Sequence, residues 1–227
     1  MKFNVIKRTD TCDYTFTIKG DKHRAVVHYP LNNNSAVVKA LLSNRIWEKK
    51  ITDIFIKHIG NDDVVVDCGA YIGTHTLTLS RLSKQVYSFE PQRLVGKCLK
   101  KTLSSIENVV VNDIALYSKE TEALFGTNND GDASIKEFRR KTFADEYLVK
   151  CNTLDSFNYD KINFIKIDAE GAEFKVLKGA EQTIKRNKPK IIVEVFKHKK
   201  NNIIKWATEH NYNIEQINCE NYFLTPQ

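Results

Sequence analysis

The chain has 227 residues, 41% hydrophobic and 28% charged, with 9 Gly and 4 Pro. This composition excludes a collagen-like, low-complexity or largely disordered polymer, and the length suffices for a sizeable core without staples. Its 35 basic against 28 acidic residues leave a net charge of +7. No apolar run approaches the ~18 residues of a membrane span. The opening stretch MKFNVIKRTDTCDYTF lacks the apolar centre of a signal peptide. Cys12, Cys68, Cys98, Cys151 and Cys219 are odd in number and form no C-x-x-C pair. That argues against a disulfide framework or a cysteine zinc site and fits a reducing, cytoplasmic compartment.

In chain order, TFTIKG and RAVVHY read as strand pieces that stop at Pro30. Residues 32–35 (NNNS) offer helix caps. Val37, Val38, Leu41, Leu42, Ile46 and Trp47 then recur at helical spacing. A second helix carries Ile51, Ile54, Phe55 and Ile59 and ends near Gly60. Residues 1–60 are thus expected to be a strand and helix cap packed on a main unit, 61–227. From Asp62 the chain alternates short β-branched runs with helical patterns. DVVVDCG, QVYSFE, NVVVND, INFIKID and KIIVEVF are strands, each followed by a helix or turn, and YNIEQIN and NYFL close the chain. This rhythm predicts an α/β fold with a mostly parallel sheet covered by helices on both faces. Ligands in such sheets bind at the C-terminal strand ends, which directs attention to the residues just after each apolar run.

The first such strand runs into Asp67-Cys68-Gly69-Ala70-Tyr71-Ile72-Gly73. Gly69 and Gly73 permit a tight turn and a close ligand approach. The spacing is not G-x-G-x-x-G, which disfavours a nicotinamide dehydrogenase. The preceding acid suits a ligand with an amino group and a sulfonium, although an ordinary strand–helix turn reads the same way. The second strand ends at Phe89-Glu90-Pro91, with Glu90 placed 17 residues after Gly73. An acid there can accept both hydroxyls of a ribose, or can serve simply as a helix N-terminal carboxylate. Asp113, after the third strand, is an acceptor for an adenine amino group or a turn residue.

In order along the chain, DCGAYIGTHT, VYSFEP, NDIAL, NTLD, NFIKIDAEGAEFKVLKGA and IIVEV resemble the FkbM family of class I methyltransferases, which use S-adenosylmethionine (SAM). The resemblance runs from about Trp47 to Val195. It implies a Rossmann-like, seven-stranded sheet with an antiparallel final hairpin, and methyl transfer to oxygen, often a hydroxyl of a sugar or natural product. It implies SAM contacts at Asp67, Gly69, Ala70, Tyr71, Gly73, Glu90, Gln92 and Asp113. Tyr71 is a departure, because the family commonly has Asn there.

An alcohol loses its proton as the oxygen–methyl bond forms, so the cleft needs a base or a metal. Asp168 ends an apolar strand and Glu194 interrupts one, and a carboxylate in such a run is paired or functional. Glu173 reads as a helix-end carboxylate, and Glu170 fits either role. His198 is a candidate base or part of a solvated turn. A divalent ion on Asp168 and Glu194 is compatible with the residue types, but no motif supports one. Residues 126–147 read as a flap over the acceptor side.

Between Lys185 and Lys200 seven basic residues stand against one acid. A solvated face is the default for such a run. It also suits an anionic small-molecule or glycan acceptor, and an RNA methyltransferase is the alternative it raises. The other alternative is an interaction module on the same fold without turnover.

Overall fold

The computed structural model describes residues 9–128, 133–139 and 142–227. The chain opens with a hairpin, β1 (Thr9–Ile18) against β2 (Asp21–Pro30), in antiparallel register with Tyr14 opposite Ala25. Helix α1 (Ala36–Leu42) follows, capped by the Ser35 hydroxyl, which accepts from the Val38 N–H at 3.2 Å. The helical spacing that runs to Trp47 is interrupted after Leu42. Residues 43–48 form turns, and α2 (Lys49–His58) starts afresh.

The alternating region then forms β3 (Val64–Cys68), α3 (Thr74–Leu82), β4 (Gln85–Phe89), α4 (Arg93–Thr102) and β5 (Val109–Asn112). After an excursion come β10 (Phe164–Ile167), α5 (Glu173–Gly179), α6 (Glu181–Asn187), β11 (Lys190–Glu194), α7 (Lys200–Glu209), β12 (Tyr212–Gln216) and β13 (Asn221–Pro226). These strands make a seven-stranded sheet in the order β12-β13-β11-β10-β3-β4-β5, with β13 antiparallel to both of its neighbours. The sequence suggests one helix over 173–186. The structure divides it at Ala180, where Gly179 passes so close to the chain that a Cβ would lie 1.8 Å from the Tyr117 carbonyl oxygen.

The excursion is the main departure from the expected layout. The segment expected to form a flap lies within a second sheet: β6 (Ala115–Leu116), β7 (Thr121–Thr127), β8 (Ala133–Ile135) and β9 (Asp145–Asn152), in the order β6-β9-β7-β8. Burial alternates along β7 and β9: Glu122, Leu124, Leu148 and Lys150 face outward, while Phe125 and Val149 face a small core of their own. Residues 129–132 and 140–141 of that segment lie outside the described residues.

The central strands are buried on both faces, and successive residues split between two cores. Val65, Phe164 and Ile192 face one cluster with Phe55, Leu77, Leu79 and Leu99. Val66, Ile165, Ile191 and Val193 face the other with Val176, Leu177, Ile184 and Ile203. The N-terminal hairpin contributes Tyr14, Phe16 and Val27 to the first cluster and packs along α4, where the His28 N–H donates to Thr102 Oγ1 at 2.9 Å. Phe55 of α2 is fully buried, edge-on to His75 and to Phe164 at centroid distances of 5.4 and 5.7 Å. Because this ring joins the N-terminal segment to the sheet, Phe55→Ala should cost about 4 kcal/mol. In denaturant unfolding of the whole chain this should shift one transition; an unmoved midpoint would show that α2 is not seated in that core.

Candidate functional site

The strand order reverses between β3 and β10, and a cleft of about 380 Å³ opens at the C-terminal ends of these strands. One wall is the turn after β3. Gly69 has φ +80°, and a Cβ there would lie 1.8 Å from the Asp168 carbonyl oxygen, so only glycine lets the two strand ends close on each other. Gly73 has φ +92° and caps α3 against Leu99, shaping the turn without lining the cleft. Between them Tyr71 takes φ +53°. Its N–H donates to Glu90 Oε2 at 2.8 Å, and its hydroxyl accepts from Asn33 Nδ2 at 2.6 Å, tying the turn to both β4 and the N-terminal segment.

Glu90 follows β4 and lines the cleft although it is buried. Its other oxygen accepts from the Gln92 N–H at 2.8 Å. Burial pushes its carboxyl up to about 7; those two backbone N–H groups pull the other way, and Asp168 adds to the rise. Gln92 also lines the cleft, and its amide donates to the Thr127 hydroxyl of the second sheet. Ile114, Leu116 and Phe125 add an apolar wall beside them.

The floor is polar. Lys166, inside the FIKI strand, is almost wholly buried, and its ammonium donates to the Gly69 carbonyl and to Asp168 Oδ2, each at 3.2 Å. It also lies 3.8 Å from Asp67 Oδ1. Burial works against its charge, but Asp168, Asp67 and Glu48 outweigh that and keep it protonated. Glu194, the last residue of β11, lines the same floor and is pushed up to about 9, first by burial, then by Asp168 and Glu48, against the pull of Lys166. At neutral pH its carboxyl therefore carries a proton.

Several expected site residues come together: Gly69, Ala70, Tyr71, Glu90, Gln92, Asp168 and Glu194 all line the cleft. Four others do not. Asp67 is wholly buried under the floor, where it accepts from the Thr76 hydroxyl at 2.6 Å, so it supports the site from beneath. Gly73 packs on α4. Asp113 is exposed and ion-paired with Lys100, because the chain turns outward after β5. His198 is exposed in the turn after β11 and stacks on Phe196. Glu173 is buried at the start of α5 and accepts from the Gly171 N–H at 2.7 Å, a helix-end role. Glu170 lines the cleft and pairs with Arg139 at 2.5 Å.

The structure adds Glu48, Trp47, His75, Lys166 and Arg139 to the lining. Lys166 has the same signature that singles out Glu194, a charge inside an apolar strand. Glu48 and Trp47 carry no local signal. Among the described residues no group of three or more His, Cys, Asp or Glu is arranged to hold a metal ion, and no helix is long and apolar enough to cross a membrane. All five cysteines are free thiols. Since a Cβ at position 69 meets backbone, Gly69→Ala should lower stability by about 3 kcal/mol; an unfolding midpoint equal to that of the parent chain would contradict the close approach.

The model of the methyltransferase FkbM domain matches residues 67–214. No curated protein matches the chain. Among solved structures, an FkbM methyltransferase from Methylobacillus flagellatus KT aligns with TM-score 0.55 and 19% identity over 73% of this chain and 44% of that one. The chain thus spans less than half the length of that relative. A Streptococcus mutans protein solved in complex with SAH aligns with TM-score 0.51 and 14% identity over 78% and 94% of the two chains. A Clostridium thermocellum protein assigned as an rRNA methylase gives TM-score 0.52 and 12% identity over 78% and 92%. At these identities the likenesses concern the fold.

Proposed function

Because the chain belongs to the FkbM family of SAM-dependent methyltransferases, we propose that the cleft beside Glu90 holds SAM and that a hydroxyl of a sugar or other small molecule receives the methyl group on its acid-lined floor. The observation that carries this reading is the meeting, in one cleft, of an ionisable carboxyl after β4 with the Asp168–Lys166 pair at the end of β10.

The residues present fit SAM. Ile114, Leu116 and Phe125 offer an apolar face to a purine, and Glu90 offers its carboxylate to a vicinal diol. The carboxyl groups of the floor favour an ammonium and a sulfonium nearby. When bound, SAM supplies an electrophilic methyl group on sulfur. Asp168, held at 3.2 Å by Lys166, would take the hydroxyl proton as the oxygen–methyl bond replaces the sulfur–methyl bond. Lys166 fixes the carboxylate and also the Gly69 carbonyl, so both sides of the reacting centre hang on one ammonium. Glu194, protonated at neutral pH, can donate a hydrogen bond to the acceptor and does not compete for its proton.

The basic run favours RNA less than its count suggests. Lys185, Arg186 and Lys188 lie at the end of α6, before β11, while Lys197, Lys199 and Lys200 follow it. The five residues of β11 separate the two groups by about 16 Å along the sheet. They occupy opposite ends of the fold and make no single face for a phosphate backbone.

Calorimetry with SAH and with NAD, followed by labelled-methyl transfer to hydroxylated acceptors, tests the reading; binding of NAD with no response to SAH would refute it. Two finer outcomes are expected. Glu90 must be ionised to accept from two hydroxyls, so SAH affinity should fall about tenfold from pH 8 to pH 6 as a carboxyl with a pKa of about 7 takes up its proton. Glu90→Gln should bind more weakly at pH 8 and lose that slope. Asp168→Asn should reduce kcat about 100-fold or more while the SAH dissociation constant changes by less than about threefold; parental turnover would remove Asp168 from the chemistry.

A further inference from the structure

Asn33 lies in the short turn between β2 and α1 and is fixed at three atoms. Its N–H donates to the Pro30 carbonyl at 3.1 Å, and its Oδ1 accepts from the Ser35 N–H at 2.9 Å. Its Nδ2 donates to the Tyr71 hydroxyl at 2.6 Å, across 38 residues of chain. The Ser35 hydroxyl, which caps α1, bonds to the same phenolic oxygen. Two side chains rooted at the start of α1 thus hold the outer end of Tyr71.

The inner end of Tyr71 is its N–H, which donates to Glu90 Oε2 at 2.8 Å. The turn on either side has backbone bonds of its own: Gly69 and Ala70 both donate to the Phe89 carbonyl, and Gly73 donates to the Ala70 carbonyl. Tyr71 stands between these fixed points at φ +53°, in the left-handed region that disfavours a side chain with a Cβ. A tyrosine has only two side-chain torsions, so a hydroxyl held at its far end restrains the backbone that carries it. The bond to Asn33 opposes relaxation of Tyr71 out of that region, and with it rotation of the N–H away from Glu90.

Glu90 relies on that N–H. A carboxylate offers about four acceptor positions on its two oxygens. The Tyr71 N–H takes one on Oε2 and the Gln92 N–H one on Oε1, which aims the group and leaves a position on each oxygen for a diol. Both donors favour the ionised form against burial. Asp168 and Lys166 act on Glu90 from the end of β10, and the phenols of Tyr71 and Tyr147 lie within its field. Burial holds both phenols above their ordinary range, and the acids around Lys166 keep it protonated, so none of these three changes charge near neutral pH. Withdrawal of the Tyr71 N–H therefore shows itself as a rise in the pH at which Glu90 ionises.

Resting on the reading that Glu90 binds the ribose of SAM, we propose that Asn33 is a positioning residue for the cofactor: through the Tyr71 hydroxyl it holds the Tyr71 N–H on Glu90, so that the segment before residue 67 sets how well the cofactor carboxylate is aimed. Residues 67–214, which match the family, contain Tyr71 and Glu90 but not the side chain that steadies them.

The test is calorimetric titration with SAH, from about pH 6 to about pH 9, of the parent, Asn33→Ala, Tyr71→Phe and the double variant. Tyr71→Phe removes one oxygen and keeps the ring. A hydrogen bond to a charged group is worth about tenfold in an equilibrium constant. The midpoint of the affinity profile should accordingly rise from about pH 7 in the parent to about pH 8 in each single variant. SAH affinity then falls about fivefold at pH 7 and less than about twofold at pH 9. The double variant should match Tyr71→Phe, since both changes break one link. An unmoved midpoint in the single variants, additive shifts in the double variant, or a loss of equal size at every pH, the mark of a merely structural role, would overturn the proposal. A parent profile without a slope, or no binding of SAH to the parent, would instead strike the reading of Glu90 on which this one stands.

Discussion

The structure of the site depends on one buried ammonium. Lys166 sits in the middle strand of the sheet between apolar neighbours, Phe164, Ile165 and Ile167, and leaving it unpaired there would cost several kcal/mol. It is compensated from three sides, by Asp168 on its own strand end, by Asp67 on the neighbouring strand, and by the Gly69 carbonyl of the turn. These contacts fix more than the lysine. They set the distance between the ends of β3 and β10, which is also the place where Gly69 has no room for a side chain. The turn that shapes the cleft and the carboxylate that faces it are therefore positioned by the same charge.

The same ammonium explains why the floor is under-neutralised. One cation is shared among Asp67, Asp168, Glu48 and Glu194, and the pair it bonds or approaches most closely takes most of its field. Glu194 is pushed up by burial and by like-charged neighbours, against the pull of Lys166.

The sheet was legible in the sequence because its strands are short β-branched runs, each ended by a turn, and buried strands leave little ambiguity about what lies between them. Glu90, Asp168 and Glu194 were legible for a related reason: a strand end or an interrupted apolar run is a local feature. The second sheet was not, since an alternating strand with one wet face, such as β9 (DEYLVKCN), reads like a charged loop when its partner is unknown. Asp67 and Asp113 show the opposite limit. Strand-end position placed both at the cleft, but one side chain turns under the floor to Thr76 and the other outward to Lys100, and no pattern along the chain specifies that choice. Glu48 and His75 meet only because α2 packs on α3, so their pairing belongs to tertiary structure alone.

The N-terminal segment accordingly cannot be treated as a lid added to a finished site. Asn33 donates to the Tyr71 hydroxyl, and Ser35, Val37, Trp47 and Glu48 line the cleft. Tyr71 is informative here. A left-handed residue in the glycine turn is most easily Asn or Gly, and a tyrosine at φ +53° bears a backbone cost that an asparagine would avoid. What the tyrosine gains is reach: its hydroxyl spans to Asn33, which a shorter side chain would not. Where the turn is tied to its own N-terminal segment in this way, a change in that segment reaches the turn after β3 and the floor of the cleft together. Tyr71, Phe55 and the His28–Thr102 bond are among the points that attach this segment to the sheet, so the cleft and the N-terminal segment form one connected scaffold.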